Sequence, residues 1–280
     1  MSSLIQATHL AQLVHSQDVI LIDARTGPDI KEKYKKEHLK NAQFVDLEND
    51  LSQKTGDASN GGRHPLPPVE KFARLIGGLG IEPSSHIVVY DDKNGANAAA
   101  RFWWMMKALG HDKVQVLDGG MKAAIEAGIQ LTADTPAIKS LPPYPADHWL
   151  LPTVNADKVA NAANDTNQLV IDVREGFRYR GESEPIDKIA GHIPGATNIP
   201  YSSNLDEDGR FLPTDKLAAK YKEAFAGREA ADVIVHCGSG VTACHTLLAI
   251  EEAGLAMPNL YVGSWSEWSG ANRPVAKGEL

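Results

Sequence analysis

The chain has 280 residues, 42% hydrophobic and 23% charged, the balance of a globular protein with room for one large or two ordinary domains. Its net charge of −8 argues against a nucleic-acid partner, because phosphate binding needs clustered Lys and Arg. No apolar run reaches the roughly 18–20 residues of a membrane span, so a membrane partner is not expected either.

In chain order, the first residues, Met1-Ser2-Ser3-Leu4-Ile5-Gln6-Ala7, lack the basic start and apolar core of a signal peptide. With only two cysteines, Cys237 and Cys244, a reducing, cytoplasmic setting is the expectation. Val19-Ile20-Leu21-Ile22-Asp23-Ala24-Arg25 reads as a buried strand, and Glu37-His38-Leu39-Lys40-Asn41-Ala42 follows it. A long loop then carries Arg63-His64-Pro65-Leu66-Pro67, placed at the rim of a ligand cleft. His86-Ile87-Val88-Val89-Tyr90-Asp91 reads as the next strand and residues 98–109 as a helix, with Trp103-Trp104-Met105-Met106 as core. Val114-Gln115-Val116-Leu117-Asp118-Gly119-Gly120 closes this set. Leu141-Pro142-Pro143-Tyr144-Pro145, with Trp149 and Pro152 beyond it, forbids helix and reads as an extended linker over 141–152.

Beyond that stretch the same series returns. Leu169-Val170-Ile171-Asp172-Val173-Arg174, Gly191-His192-Ile193-Pro194-Gly195-Ala196, Asp232-Val233-Ile234-Val235-His236-Cys237 and Asn259-Leu260-Tyr261-Val262-Gly263-Ser264 match the earlier segments in order, each roughly 150 residues later. A repeat this long is a duplicated domain. Strand runs alternating with helical patterns, such as 216–225, indicate α/β architecture: two tandem domains, 1–140 and 153–280, each a parallel sheet flanked by helices. The Asp-x-Arg pairs, Asp23/Arg25 and Asp172/Arg174, recur in both halves and read as structural.

The halves differ at one position. Cys237 closes a strand and opens the small-residue loop Gly238-Ser239-Gly240-Val241-Thr242-Ala243 before a helix, whereas the matching residue in the first half is Asp91. A strand–loop–helix turn aims backbone N–H groups at the sulfur and favours an anion there. Asp91 cannot do sulfur chemistry, so the first half is expected to be catalytically silent. Cys244, on the following helix, reads as a small core residue. Phosphate-ester cleavage would need an arginine six residues after the cysteine; Ala243 stands there, leaving a phosphoryl group without its charge partner. Sulfur transfer asks less. The thiolate attacks a donor sulfur, becomes a persulfide and passes the outer sulfur on, with N–H groups of Gly238, Ser239, Gly240, Val241 and Thr242 stabilising the anionic intermediate. A carrier module that takes persulfide from a partner protein is the alternative of another class.

These motifs, with the near-terminal Gly263-Ser264-Trp265-Ser266-Glu267-Trp268, resemble those of two-domain sulfurtransferases of the rhodanese superfamily, and the loop resembles that of their 3-mercaptopyruvate branch. Thiosulfate-using members typically carry Cys-Arg-Lys-Gly-Val-Thr; here Gly238 and Ser239 replace the two cations, which implies a monoanionic, carboxylate-bearing donor, with thiosulfate as the alternative. The resemblance implies Cys237 as nucleophile and Arg178 as the residue holding the donor's carboxylate. A second arginine of that branch is absent, since the corresponding stretch is Glu184-Pro185-Ile186-Asp187-Lys188, with Lys188 as the nearest stand-in. It also implies a proton relay through Ser239, His38 and Asp29. The partners implied are a small-molecule sulfur donor, a thiophilic acceptor such as a thiol or cyanide, and a thioredoxin-like reductant. No cofactor or metal is expected: His and Cys do not cluster at ligand spacing, and no phosphate-binding glycine fingerprint is present.

Overall fold

The computed structural model of the chain describes residues 2–16 and 19–278. They form two compact units. Unit 1 comprises Met1–Gln53, Pro67–Leu150 and Asp208–Arg210; unit 2 comprises Lys54–Leu66, Leu151–Glu207 and Phe211–Leu280.

Unit 1 contains β1 (Leu4–Ile5), α1 (Ala7–Ser16), β2 (Ile20–Asp23), α2 (Ile30–Lys36), β3 (His38–Leu39), β4 (Gln43–Phe44), α3 (Val69–Gly78), β5 (Ile87–Tyr90), α4 (Ala98–Ala108), β6 (Val114–Leu117), α5 (Gly120–Glu126) and β7 (Leu131–Thr132). Unit 2 contains β8 (Thr153–Val154), α6 (Ala156–Ala162), β9 (Leu169–Asp172), α7 (Gly176–Tyr179), β10 (Thr197–Asn198), α8 (Thr214–Phe225), β11 (Val233–His236), α9 (Ala243–Glu252), β12 (Asn259–Tyr261) and α10 (Ser264–Gly270).

The first sheet runs β1-β6-β5-β2-β4 and the second β10-β9-β11-β12-β8. Read from the opposite edge, the second order reproduces the first strand for strand, and every pairing is parallel. The duplication in the sequence is therefore a duplication of topology. Strands β5 and β11 lie at the centre and are buried along their whole length. Burial on both faces explains why they read as unbroken apolar runs rather than alternating ones. Each fully buried Val, Ile or Leu stabilises its unit by about 1.5–3 kcal/mol.

The Asp-x-Arg pairs fasten the strand ends. Arg25 Nη2 lies 2.7 Å from Asp23 Oδ2 and donates to Glu37 O; Arg174 Nη2 lies 2.6 Å from Asp172 Oδ2 and donates to Gly191 O. Each arginine thus ties the strand beside the central one, β2 or β9, to the loop that crosses its end, with an aspartate and a backbone carbonyl as partners in both units.

The proline-rich stretch is extended, as its composition requires, but residues 141–150 are laid onto unit 1. Leu141 N donates to Gly77 O, Tyr144 N to Ala73 O and Leu150 N to Ala108 O, and the Trp149 ring packs on Phe72 and Trp104. Among the described residues, no helix is long and apolar enough to cross a membrane.

Candidate active site

The 237–242 loop leaves the end of β11, the central strand of unit 2. Its position is set from the β12–α10 turn. Cys237 N donates to Ser264 Oγ at 3.2 Å, and the first amides of α10 donate back: Trp265 N to Cys237 O and Ser266 N to Gly238 O. Cys237 is 2% exposed. Cys244 sits in the first turn of α9, buried, with Sγ donating to Gly240 O at 3.4 Å, a structural contact. The backbone N–H groups of Gly238, Ser239, Val241 and Thr242 have no acceptor among the described residues.

The matching loop of unit 1 shows what such N–H groups hold. There Asp91, fully buried, accepts from Lys93 N and Gly95 N on one carboxylate oxygen and from Asn97 N and Ala99 N on the other, at 2.8–3.3 Å. Complete burial pushes the Asp91 carboxyl up, and these four donors pull it down. Unit 1 keeps the anion-binding turn and fills it with its own side chain.

A second element completes the surroundings of Cys237. Residues 54–66, contiguous in sequence with unit 1, belong to unit 2. Gly61 N donates to Glu267 Oε1 and Arg63 N to Ser266 Oγ, so this strap is tied to α10. Gly62 lies between them at φ 83°, where a Cβ would stand 2.4 Å from Gly263 O. Only glycine suits that conformation and that approach. We expect Gly62→Ala to lift the strap: kcat/KM for the sulfur donor falls about 10²-fold, while unfolding stability drops by only about 1–3 kcal/mol. Steady-state kinetics beside urea unfolding checks this.

The strap delivers two side chains. His64 Nδ1 is 2.8 Å from Ser239 Oγ, which is itself 5% exposed. Arg63 Nη1 pairs with Asp187 Oδ1, and its Nη2 lies 3.1 Å from where a Cβ on Gly238 would stand. Arg178, on α7, also approaches Gly238, with Nη2 and Nη1 at 3.5 and 3.7 Å from the same point.

Both guanidinium groups belong to a chain of alternating charges that Arg63 ends: Asp172, Arg174, Glu184, Arg178, Asp187, Arg63. Glu184 joins Arg174 at 3.3 Å and Arg178 at 2.7 Å; Asp187 joins Arg178 at 3.3 Å and then Arg63. Burial pushes Glu184 up, but Arg178 and the N–H groups of Asp187 and Ile186 hold it below the usual range. Burial raises the Asp187 carboxyl, aided by the neighbouring Glu184 charge, against the pull of Arg63 and Arg178. Removing one member of such a buried pair costs about 3–5 kcal/mol by stranding the other.

Three further expected site residues have these surroundings within their own units. His38 is buried in unit 1 and is engaged by Tyr34: Nδ1 lies 2.7 Å from Tyr34 O and the rings stack at 4.0 Å. His192 repeats this in unit 2, with Tyr179 O at 2.8 Å and ring centroids 3.7 Å apart. The pair is a structural device of both units, and the imidazole that bonds to Ser239 is His64. Asp29 caps α2 in a left-handed conformation (φ 56°), without a side-chain cap bond and without a bond to His38. Lys188 is exposed, and its charge acts on Asp57, whose carboxyl is held low first by two bonds from Ser59 and then by Lys188.

Two parallel-sheet units of the same strand order, one with a cysteine and one with an aspartate after the central strand, define a duplicated α/β protein with a single cysteine loop. The rhodanese-like domain model matches residues 6–127 and 155–271. The chain is 39% identical to a Pseudomonas aeruginosa protein named "Probable 3-mercaptopyruvate sulfurtransferase", covering 99% of each. It is 34% identical to the thiosulfate sulfurtransferase of Gallus gallus, over 86% of this chain and 81% of that one. The solved 3-mercaptopyruvate sulfurtransferase from Leishmania major matches with a TM-score of 0.84 at 29% identity, over 98% of this chain and 75% of that one. The chain belongs to the rhodanese-like domain family, as a tandem-domain sulfurtransferase.

Proposed function

We propose that the protein transfers the sulfur of 3-mercaptopyruvate to a thiophilic acceptor through a persulfide on Cys237. The Cys237 thiolate attacks the donor's thiol sulfur. A new S–S bond forms, the carbon–sulfur bond breaks, and its electron pair stays on carbon as the enolate of pyruvate. One proton delivered to that carbon completes pyruvate. A thiol, such as that of a thioredoxin-like protein, or cyanide then removes the outer sulfur and restores the thiolate. The N–H groups of the 238–242 loop stabilise the anionic outer sulfur, and Arg178 receives the donor's carboxylate.

The observation that carries the donor assignment is the 2.8 Å contact between Ser239 Oγ and His64 Nδ1. Thiosulfate leaves as sulfite, a stable anion that needs no proton. A mercaptopyruvate donor leaves as a carbanion equivalent that does. A hydroxyl in the cysteine loop, backed by an imidazole, is a proton path of use only to the second donor. The thiosulfate reading rests on the two guanidinium groups beside Gly238, which also suit a dianion.

The test compares donors in His64→Gln. The expected result is a loss of about 10²-fold in kcat/KM for 3-mercaptopyruvate, with thiosulfate turnover changed less than about threefold. Equal losses for both donors, or wild-type turnover of thiosulfate about tenfold faster than of 3-mercaptopyruvate, contradict the assignment.

A further inference from the structure

Lys220, half-buried on α8, turns its amine to the Tyr201–Asn204 turn. Nζ lies 2.5 Å from Ser203 Oγ and 2.7 Å from Asn204 Oδ1. Both partners are neutral. The turn and α9, which pack against α8, carry Tyr201, His245, Glu251 and Glu252, and α8 itself carries Glu223 one turn on. Among the described residues none of these forms an ion pair with Lys220. Burial keeps the neighbouring Tyr221 a neutral phenol by pushing it up. Its ring, 5.1 Å from Nζ, favours the ammonium, but no anion joins it.

The hydrogen bonds fit the neutral amine. Ser203 spends its own proton on Pro200 O at 2.6 Å, and Tyr221 donates its hydroxyl proton to Asn204 Oδ1 at 2.5 Å. The Asn204 amide is held in that orientation by Nδ2, which donates to Thr246 Oγ1 at 3.4 Å. Both oxygens therefore accept, and neither can donate to nitrogen. An amine that gives two N–H groups to them keeps its lone pair free. Losing the third proton costs no hydrogen bond within the protein, and burial, with no charge opposing it, brings the Lys220 amine down to about 8.

We propose that Lys220 is a nucleophilic amine and a modification site, taking the acyl group of a small acyl phosphate. This stands apart from the Cys237 reading. The lone pair attacks the acyl carbon and an N–C bond forms. The C–O bond to phosphate breaks, its electron pair leaves on phosphate, and one amine proton passes to water. Nothing is oxidised or reduced. The amide that results has no charge and one N–H where the amine used two, so Ser203 or Asn204 loses its donor. Asn204 is fully buried and bonds to α9, the helix that follows the Cys237 loop, so the modification reaches the support of that loop.

The test exposes the full chain to acetyl phosphate at near-neutral pH and follows each lysine by mass spectrometry. Lys216 and Lys222, both exposed on α8, serve as internal standards. Lys220 is expected to gain its acetyl group at least about tenfold faster than either. Its rate should level off above about pH 8, where that of an ordinary lysine still rises. Ser203→Asp, a change at an exposed position, sets a carboxylate beside Nζ and holds the ammonium. We expect it to slow Lys220 about tenfold and to leave Lys216 and Lys222 unchanged. Labelling of Lys220 no faster than of its helix neighbours, a rate that climbs past about pH 10, or a Ser203→Asp protein labelled like wild type overturns the proposal.

Discussion

Cys237→Ser is expected to lower kcat/KM for every sulfur donor by at least about 10⁴-fold while leaving the fold intact. The oxygen is close to isosteric with the sulfur, and the 2% exposed position keeps its backbone bonds to Ser264 and Trp265. What is lost is chemical: a serine hydroxyl is neither a comparable nucleophile nor able to hold an outer sulfur. The check is donor turnover beside a thermal unfolding curve. Turnover within about tenfold of wild type would place the chemistry elsewhere, and Cys244 would be the next thiol to examine.

Asp91→Ala is expected to be the most destabilising single substitution in unit 1, by about 3–5 kcal/mol. Four buried N–H groups, from Lys93, Gly95, Asn97 and Ala99, lose their acceptor at once, and the carboxylate oxygens that replaced solvent are gone. A buried donor left without a partner costs about 1–3 kcal/mol, and relaxation of the 92–97 loop returns part of the sum. Asp91→Asn keeps one carbonyl oxygen and is expected to cost less than Ala. Amide hydrogen exchange of β5 and α4, followed in urea, reads unit 1 separately from unit 2. A shift below about 1 kcal/mol would mean that the turn does not depend on an anion. The same logic applies to Cys237: the persulfide would do for the second loop what Asp91 does permanently for the first.

The two parallel sheets, both helical patterns and the cysteine loop were legible in the sequence for a shared reason. Central strands such as Ile87–Tyr90 and Val233–His236 are buried on both faces, so they write themselves as apolar runs, and the duplication writes them twice. The helix read at 98–109 runs over Ala98–Ala108 with Leu109 as its cap. Edge elements of two residues, such as β1, β4 and β10, carry too few side chains to leave a period. The prolines of 141–152 gave the extended conformation, but the packing of Trp149 on Phe72 and Trp104 depends on residues far along the chain.

The site was legible where it is local. Cys237 and Ser239 lie in the loop after β11 and Arg178 on α7 soon after β9, and the Arg178 guanidinium lies beside Gly238. His38 was singled out and His64 was not, because His38 stands in a recurring motif, and recurrence there also accompanies the Tyr34 and Tyr179 stacking shared by both units. His64 and Arg63 sit in a segment without a counterpart in the repeat. Their place beside Ser239 and Gly238 is fixed by Gly61, Gly62 and Arg63 against residues 263–267, a separation of about 200 residues that spacing alone does not reveal. Glu184 and Asp187 stood in the sequence only as part of the stretch lacking a second arginine; the structure shows them as the bridges between three arginines.

The central claim is that Cys237 takes sulfur from 3-mercaptopyruvate, and mass spectrometry of the protein after exposure to that donor, with no acceptor present, tests it most directly. The account predicts one added sulfur atom on the peptide containing Cys237, one pyruvate released for each, and loss of the sulfur when cyanide is added. A protein that gains no sulfur, or gains it on Cys244, or gains it from thiosulfate but not from 3-mercaptopyruvate, would contradict the account.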